Sequence, residues 1–399
     1  MATDGHEGGG AQPPNAFEGF DARRVPSPCF VVDVAAVERN LAILNRVQRE
    51  SGAKVLAALK AFSLWHLGPL VGRYLSGTCA SGLFEARLGR DHYGGEVHVF
   101  SAGYTESDLR EVLGFADHVV FNSSAAWKRF QPLVQTAKAA RPELAFGLRV
   151  NPEHSEGAVP IYDPCAPGSR LGIPVSQLDE AALDGISGLH FHTLCEQPLE
   201  PLTRTLAAFE ARFGHLLPRM RWVNFGGGHH ITKPDYDLDG LIALIRDFKA
   251  RHGLEVYLEP GEAVAIHSGV LVAEVLDLTW NALDQAILDT SATCHMPDTL
   301  EMPYRAHILG SGVPGELAHT YRLGGMTCLA GDVIGDYSFE APLAIGDRLM
   351  FDDMSHYTMV KTTMFNGVRL PAIALWDPRT DALEVVRSFG YEDFKGRLG

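Results

Sequence analysis

Between Lys54 and Pro260 the chain repeats one pattern: a short β-rich apolar run, a stretch of helical length, then another run. Strands are expected near 55–59, 77–81, 96–101, 118–122, 145–150, 185–193, 221–226 and 255–260, with helices between most of them, such as Ser124–Ala139 and Leu202–Leu217. An earlier helix, about Val34–Arg49, carries apolar Val37, Leu41 and Leu44, with Asp33 placed to cap it. Eight βα units in series predict a closed (β/α)8 TIM barrel, whose working residues gather at the C-terminal ends of its strands. An open doubly wound sheet gives the same alternation, so the strand count alone does not choose; the barrel is the reading adopted.

After Pro260 the texture changes. Ala263–Leu278, Gln285–Thr290, Tyr304–Leu309, Asp347–Phe351 and Leu370–Trp376 read as strands without long helices between them, separated by turn signals such as Gly310-Ser311-Gly312 and Gly324-Gly325. This predicts a C-terminal antiparallel β domain. The expected division is a disordered lead-in over 1–24, a barrel over 25–262 and the β domain over 263–399, with 25–33 free to lend the latter a strand.

Composition removes several function classes. A net charge of −15 argues against nucleic acid, which wants clustered Lys and Arg, and suits a cationic ligand. The six cysteines are scattered without a CxxC pair, so neither a zinc framework nor a disulfide scaffold is expected. Met1–Asn15 is rich in Gly, Pro and acid, with no basic start and no apolar core, unlike a signal peptide. No apolar run approaches the roughly 20 residues that span a bilayer. A cytoplasmic protein with no membrane partner is the expectation.

The notable motifs fall where barrel strands should end. Lys60 closes Val55-Leu56-Ala57-Ala58-Leu59. An ammonium buried there is costly, and lysines held out of water suit Schiff-base chemistry with an aldehyde; a strand-end lysine can equally just point outward. Strand two gives Cys79-Ala80-Ser81-Gly82, and strand six gives His190-Phe191-His192-Thr193-Leu194-Cys195-Glu196-Gln197. His190 and His192, two apart, share one face of a strand. As a metal pair they lack an obvious third ligand, and one histidine stacking on a flat ring fits better, so no metal is expected. Gly226, Gly227 and Gly228 can cradle a phosphate or serve a tight turn. Glu259, ending a buried strand, requires a partner: a protonated pyridine nitrogen, or a salt bridge to a neighbouring loop.

Lysine, stacking histidine, glycines and carboxylate, in this order, resemble the fold-type III decarboxylases that use pyridoxal 5'-phosphate (PLP), the alanine racemase and ornithine decarboxylase group, over essentially residues 25–390. The resemblance implies PLP carried on Lys60, His192 on the ring, Gly226, Gly227 and Gly228 at the phosphate and Glu259 at the pyridine nitrogen. Gly325-Met326-Thr327-Cys328 resembles the segment whose cysteine enters the partner's site in a homodimer with shared active sites. Tyr357, in Ser355-His356-Tyr357-Thr358, resembles the phosphate-binding tyrosine, and Phe365-Asn366-Gly367 a further site segment.

Within the group, Ala58-Leu59-Lys60-Ala61-Phe62, His192 to Gln197 and Cys328-Leu329-Ala330-Gly331-Asp332 resemble the carboxynorspermidine and carboxyspermidine decarboxylases. Where ornithine decarboxylases carry arginine after Glu-Pro-Gly, Glu262 stands here, unable to grip phosphate but able to bind an amine. Thr78 stands where those enzymes have an aspartate. The resemblance implies decarboxylation, with Cys328 the proton donor and a small cationic carboxylated triamine the substrate. Glu262, Asp298 and Asp332 are the acids expected to meet its nitrogens, with Glu196 and Asp336 as weaker choices. Ornithine, arginine or diaminopimelate decarboxylation is the alternative, followed by a non-catalytic PLP-binding or polyamine-sensing barrel and a metal-dependent hydrolase. The loop between Asn151 and Gly172, with Arg170 and several prolines, is a candidate cover for the site with no assigned role.

Overall fold

A computed structural model of the chain describes residues 16–157 and 160–399. It divides into two compact units: one contains Glu38–Val264, and the other joins Gln12–Val37 to Ala265–Gly399. The first strand, β1 (Cys29–Asp33), belongs to the second unit, and α1 (Val34–Ser51) follows it. Asp33 caps that helix, its carboxylate accepting from the Ala36 N–H at 2.9 Å.

The eight strands that follow are β2 (Lys54–Ala58), β3 (Gly77–Ala80), β4 (Glu96–Phe100), β5 (His118–Phe121), β6 (Ala145–Arg149), β7 (Gly188–His190), β8 (Trp222–Asn224) and β9 (Glu255–Leu258). Each runs parallel to the next, and β2 pairs with β9 to close the barrel. Such strands are covered on both faces, which is why they read as near-continuous apolar runs. Helices α2 (Gly68–Tyr74), α3 (Leu83–His92), α4 (Glu106–Leu113), α5 (Ser124–Ala140), α6 (Leu199–Phe213) and α7 (Leu238–His252) lie between them. Between β6 and β7 the described residues form only 3-10 turns, Pro160–Tyr162, Val175–Gln177 and Glu180–Ala182.

Glycines on β6 and β7 make room for a large interior side chain. A Cβ on Gly188 would fall 2.0 Å from the Trp222 indole, and one on Gly147 would fall 2.4 Å from it. Trp222 packs there with Leu56, Val120 and Tyr257, filling the barrel axis beneath the strand ends. Each such side chain fully removed from water contributes about 1.5–3 kcal/mol.

In the second unit an eight-stranded sheet is built from β1, β10 (Gly269–Trp280), β11 (Asp284–Leu288), β12 (His319–Gly324), β13 (Val333–Phe339), β14 (Arg348–Phe351), β15 (Ala372–Asp377) and β16 (Ala382–Arg387). Its order is β13-β12-β11-β10-β1-β15-β16, with β14 also on β10, and only β1–β15 and β11–β12 run parallel. Residues 27–32 thus lie largely within a strand of this sheet.

The structure corrects three expectations. The run from Ala263 begins as a helical turn, α8 (Glu262–Ala265), so its strand starts at Gly269. Tyr304–Leu309 forms no strand and contributes one bridge, Ile308 to Phe351. The disordered lead-in does not reach residue 24: Ala16–Gly19 and Ala22–Arg24 are 3-10 turns, because Phe17 and Phe20 are buried against Trp376, ring centroids 5.2 and 4.9 Å away. The remainder of the lead-in, residues 1–15, lies outside the described residues.

Candidate active site

At the C-terminal ends of the barrel strands a cleft is lined by Ala58, Lys60, Cys79, Ala80, Ser81, Phe100, Arg149, His190, His192 and Glu259. Lys60 stands two residues past β2, in a turn, and its side chain is exposed. Of the two readings of a strand-end lysine the outward one holds: the chain leaves the barrel wall at Leu59, and the amine opens into the cleft. Thr78 does not face this space. A Cβ on Gly89 of α3 would fall 2.4 Å from its hydroxyl, so the side chain packs outward against that helix.

Glu259 lies just beyond β9, with a polar side chain beside each carboxylate oxygen. Asn224 donates its amide N–H to Oε1 at 2.7 Å, and His190 Nε2 lies 3.3 Å from Oε2. Burial pushes this carboxyl up, while His190 and the Asn224 amide pull it down and outweigh burial. Among the described residues no lysine or arginine lies within ion-pair distance of it. The anion is buried, aimed into the cleft and without its own cation.

Two further residues belong here that the motif reading passed over. Arg149 closes β6, is 5% exposed, donates to the His192 carbonyl at 2.8 Å and lies over the Phe100 ring at 4.6 Å. Burial lowers its pKa to about 10. Its signal is the one that singled out Lys60, a cation closing an apolar strand. Asn224, two residues before the glycines, ends β8. Burial holds the His192 ring neutral, with Lys60 and Arg149 adding to the effect. The Gly227 N–H donates to His192 Nδ1 at 2.9 Å, which leaves the remaining ring proton on Nε2.

The glycine run is demanded first by packing. A Cβ on Gly227 would fall 2.0 Å from the Glu259 carbonyl oxygen, and one on Gly228 would fall 1.9 Å from that of Leu194. Gly226 and Gly228 also take φ of 72° and 85°. The Gly226 N–H goes to Asn224 Oδ1 at 2.8 Å. Two of the three N–H groups expected to cradle an anion are thus already donating within the protein. Beside this turn Glu262 pairs with His230, Oε1 to Nε2 3.2 Å, both side chains largely buried.

The remaining expected residues lie in the second unit. Cys328 is exposed, and its N–H donates to Asn366 Oδ1 at 3.0 Å. Asp332, only 4% exposed, accepts from Ser291 Oγ at 3.0 and 2.9 Å, from the Thr293 N–H at 3.2 Å and from Thr327 Oγ1 at 2.6 Å. Its expected role as an amine contact is corrected: the carboxylate is saturated by these donors and shapes the loop that presents Cys328. Asp298 is corrected likewise, since Lys361 Nζ lies 2.5 Å from it and takes up its charge. Asp336 is held by Arg322 at 2.8 Å. Tyr357 sits at φ 45°, a conformation costly for a side-chain-bearing residue and found at sites where structure enforces it.

These features fit a PLP group. The buried Glu259 anion without a cation suits a protonated ring nitrogen, and Lys60 offers an exposed amine in the same cleft. His190, His192 and Glu259 also bring ligand atoms within 4.8 Å of one another, and so do Glu96, His98 and His118 lower in the barrel. The second cluster already holds the Lys54 ammonium, 2.5 Å from Glu96, where a metal cation would be repelled.

Comparison with known proteins agrees with this chemistry. The family described as "Pyridoxal-dependent decarboxylase, C-terminal sheet domain" matches residues 29–355. A carboxyaminopropylagmatine decarboxylase of Synechocystis sp. is 45% identical over 388 residues, covering 96% of this chain and 98% of that protein. A carboxynorspermidine/carboxyspermidine decarboxylase of Campylobacter jejuni is 41% identical over 385 residues, 94% of this chain and 99% of that one. The crystal structure of carboxynorspermidine decarboxylase from Campylobacter jejuni, complexed with norspermidine, superimposes with a TM-score of 0.85 at 41% identity over 94% of this chain and 100% of that chain. The chain belongs to the pyridoxal-dependent decarboxylase family: it is a PLP-dependent carboxy-lyase.

Proposed function

We propose that this decarboxylase acts on carboxynorspermidine or carboxyspermidine and releases norspermidine or spermidine with carbon dioxide. The observation that carries the reading is the likeness, along nearly the whole of both chains, to an enzyme solved with norspermidine. Bound PLP supplies the electron sink that makes loss of the carboxylate feasible. Lys60 holds the cofactor by its amine. His192, neutral and oriented by the Gly227 N–H, would lie against the ring, and Glu259 would face the ring nitrogen. Gly226, Gly227, Gly228 and Tyr357 serve the phosphate, with Gly228 the glycine N–H best placed to donate. Glu262, steadied by His230, meets a cationic nitrogen of the substrate.

Cys328 Sγ–H supplies the proton that replaces the lost carboxyl group, reaching the site of a second copy in a homodimer. Its exposed position on a loop clamped by Asp332 and Asn366 supports that role. So do the apolar side chains left exposed nearby in sequence and on β10, among them Trp280 at 73% and Leu278 at 36%. No helix among the described residues is long and apolar enough to cross a membrane, and the proposal places the enzyme in the cytoplasm, with a barrel over Glu38–Val264 and a β domain over Ala265–Gly399 that takes in β1.

A second reading, favoured by the cyanobacterial relative, is carboxyaminopropylagmatine, whose distal group is a guanidinium. Purified protein incubated with each carboxylated polyamine, ornithine and diaminopimelate decides between them by carbon dioxide release. Release confined to ornithine or diaminopimelate sinks both polyamine readings.

A further inference from the structure

We propose that His190 is a positioning residue: together with Asn224 it grips the Glu259 carboxylate so that the proton between that carboxylate and the cofactor's ring nitrogen stays on the ring. The inference rests on Glu259 facing the ring nitrogen. A carboxylate that accepts two hydrogen bonds from neutral donors is a weaker base than one that accepts none. Asn224 Nδ2 donates to one Glu259 oxygen at 2.7 Å, and His190 Nε2 lies 3.3 Å from the other, so that a small turn of the ring brings its N–H onto that oxygen.

His190 is 2% exposed, with Phe100 edge-on to it at 5.7 Å. The charged and titratable groups acting on it are Glu259 beyond β9, Arg149 on β6 and Lys60 after β2. Burial disfavours an imidazolium here, and the two cations bordering this space, Arg149 and Lys60, add to it and together outweigh the opposing pull of Glu259. The neutral ring places its one N–H on Nε2, towards Glu259, which remains the anion. Strand alternation puts residue 190 towards the barrel interior, while His192, past the strand's end, is held by the turn at Gly227. The two histidines of the motif thus have different work: His192 lies against the cofactor, and His190 acts on it through Glu259.

The test loads the full-length wild type, His190→Gln, His190→Leu and Glu259→Gln with PLP carrying an isotopic label on its ring nitrogen, and reads that nitrogen by NMR. Protonated nitrogen is expected in the wild type and in His190→Gln, whose amide restores an N–H donor. In His190→Leu the signal moves towards the unprotonated position, and kcat falls on the order of 10- to 100-fold, the worth of one hydrogen bond to a charged group. A His190→Leu protein that binds PLP with its ring nitrogen still fully protonated overturns the proposal. Protonated nitrogen in Glu259→Gln overturns the placement of Glu259 itself, and this inference with it. Should the leucine variant not hold PLP, the ring nitrogens of His190 in the wild-type holoenzyme decide. A neutral ring protonated on Nε2 supports the assignment, and an imidazolium at the pH of activity overturns it.

Discussion

Glu96 and Glu259 each face a buried histidine inside the same barrel, His98 at 2.9 Å and His190 at 3.3 Å, yet their surroundings differ. Glu96, at the start of β4, also has the Lys54 ammonium at 2.5 Å and accepts from the Tyr257 hydroxyl at 3.2 Å. His98 stacks on His118 with centroids 3.9 Å apart, and burial together with His98 keeps His118 neutral, at about 2. That cluster contains its own cation and its donors. Glu259 has, among the described residues, no lysine or arginine within ion-pair distance. A buried carboxylate with a lysine beside it is a finished piece of structure; one held only by neutral groups, and open to a cleft, is a site for a cation from outside. The difference in partners, more than the histidine–carboxylate motif they share, separates function from framework.

Substitution separates the two directly. Glu259→Gln removes the charge opposite the ring nitrogen, and kcat is expected to fall about 100- to 1000-fold, the usual loss for one preorganised electrostatic partner. Stability to urea should change little in that variant. A steady-state assay showing less than about a tenfold loss breaks the comparison at its functional end. Glu262→Gln sharpens it, because here the awaited cation is a substrate nitrogen: KM for the triamine should rise about 10- to 100-fold with PLP content unchanged. Equal loss of bound PLP, read from absorbance, would reassign Glu262 to the cofactor.

Glu96→Gln should do the reverse of Glu259→Gln. Lys54 loses its partner, stability drops by about 1–3 kcal/mol in urea denaturation, and kcat stays within about twofold. The pH dependence is read on stability alone. Burial lowers His118 to about 2, and His229 and His295 to about 4, from an ordinary 6.5. Below pH 6.5 the unfolded chain binds protons that these folded groups refuse, so stability is lost as pH falls from there. Each group contributes up to about 1.4 kcal/mol per pH unit until its folded pKa is passed. Equilibrium unfolding at stepped pH checks the sign, and stability rising between pH 6 and pH 5 would contradict it.

The barrel was legible because strands covered on both faces are apolar throughout, and their ends mark where function gathers. The β domain was less so. His319–Gly324, Val333–Phe339 and Ala382–Arg387 escaped notice because exposed and half-buried residues are mixed along them, which blurs any alternation. Tyr304–Leu309 has a strand's composition, but its partner β14 meets it at one position only. At the site, residue types pointed to the cofactor, whereas their states did not follow from type. Lys60 is exposed because the chain turns before it. Asp332, an acid in a promising segment, proved to be the anchor of its own loop. That depends on Ser291 arriving from elsewhere in the sequence, which no local pattern announces.

The central claim is that the cofactor is carried on the amine of Lys60, in front of a carboxylate with no cation of its own. Borohydride reduction of the PLP-loaded enzyme, followed by peptide mass spectrometry, tests it most directly. The account predicts a pyridoxyl-phosphate mass increment on the peptide containing Lys60 and its absence from a Lys60→Ala protein, which also shows no decarboxylation. An increment on a different lysine, or full activity in Lys60→Ala, would contradict it.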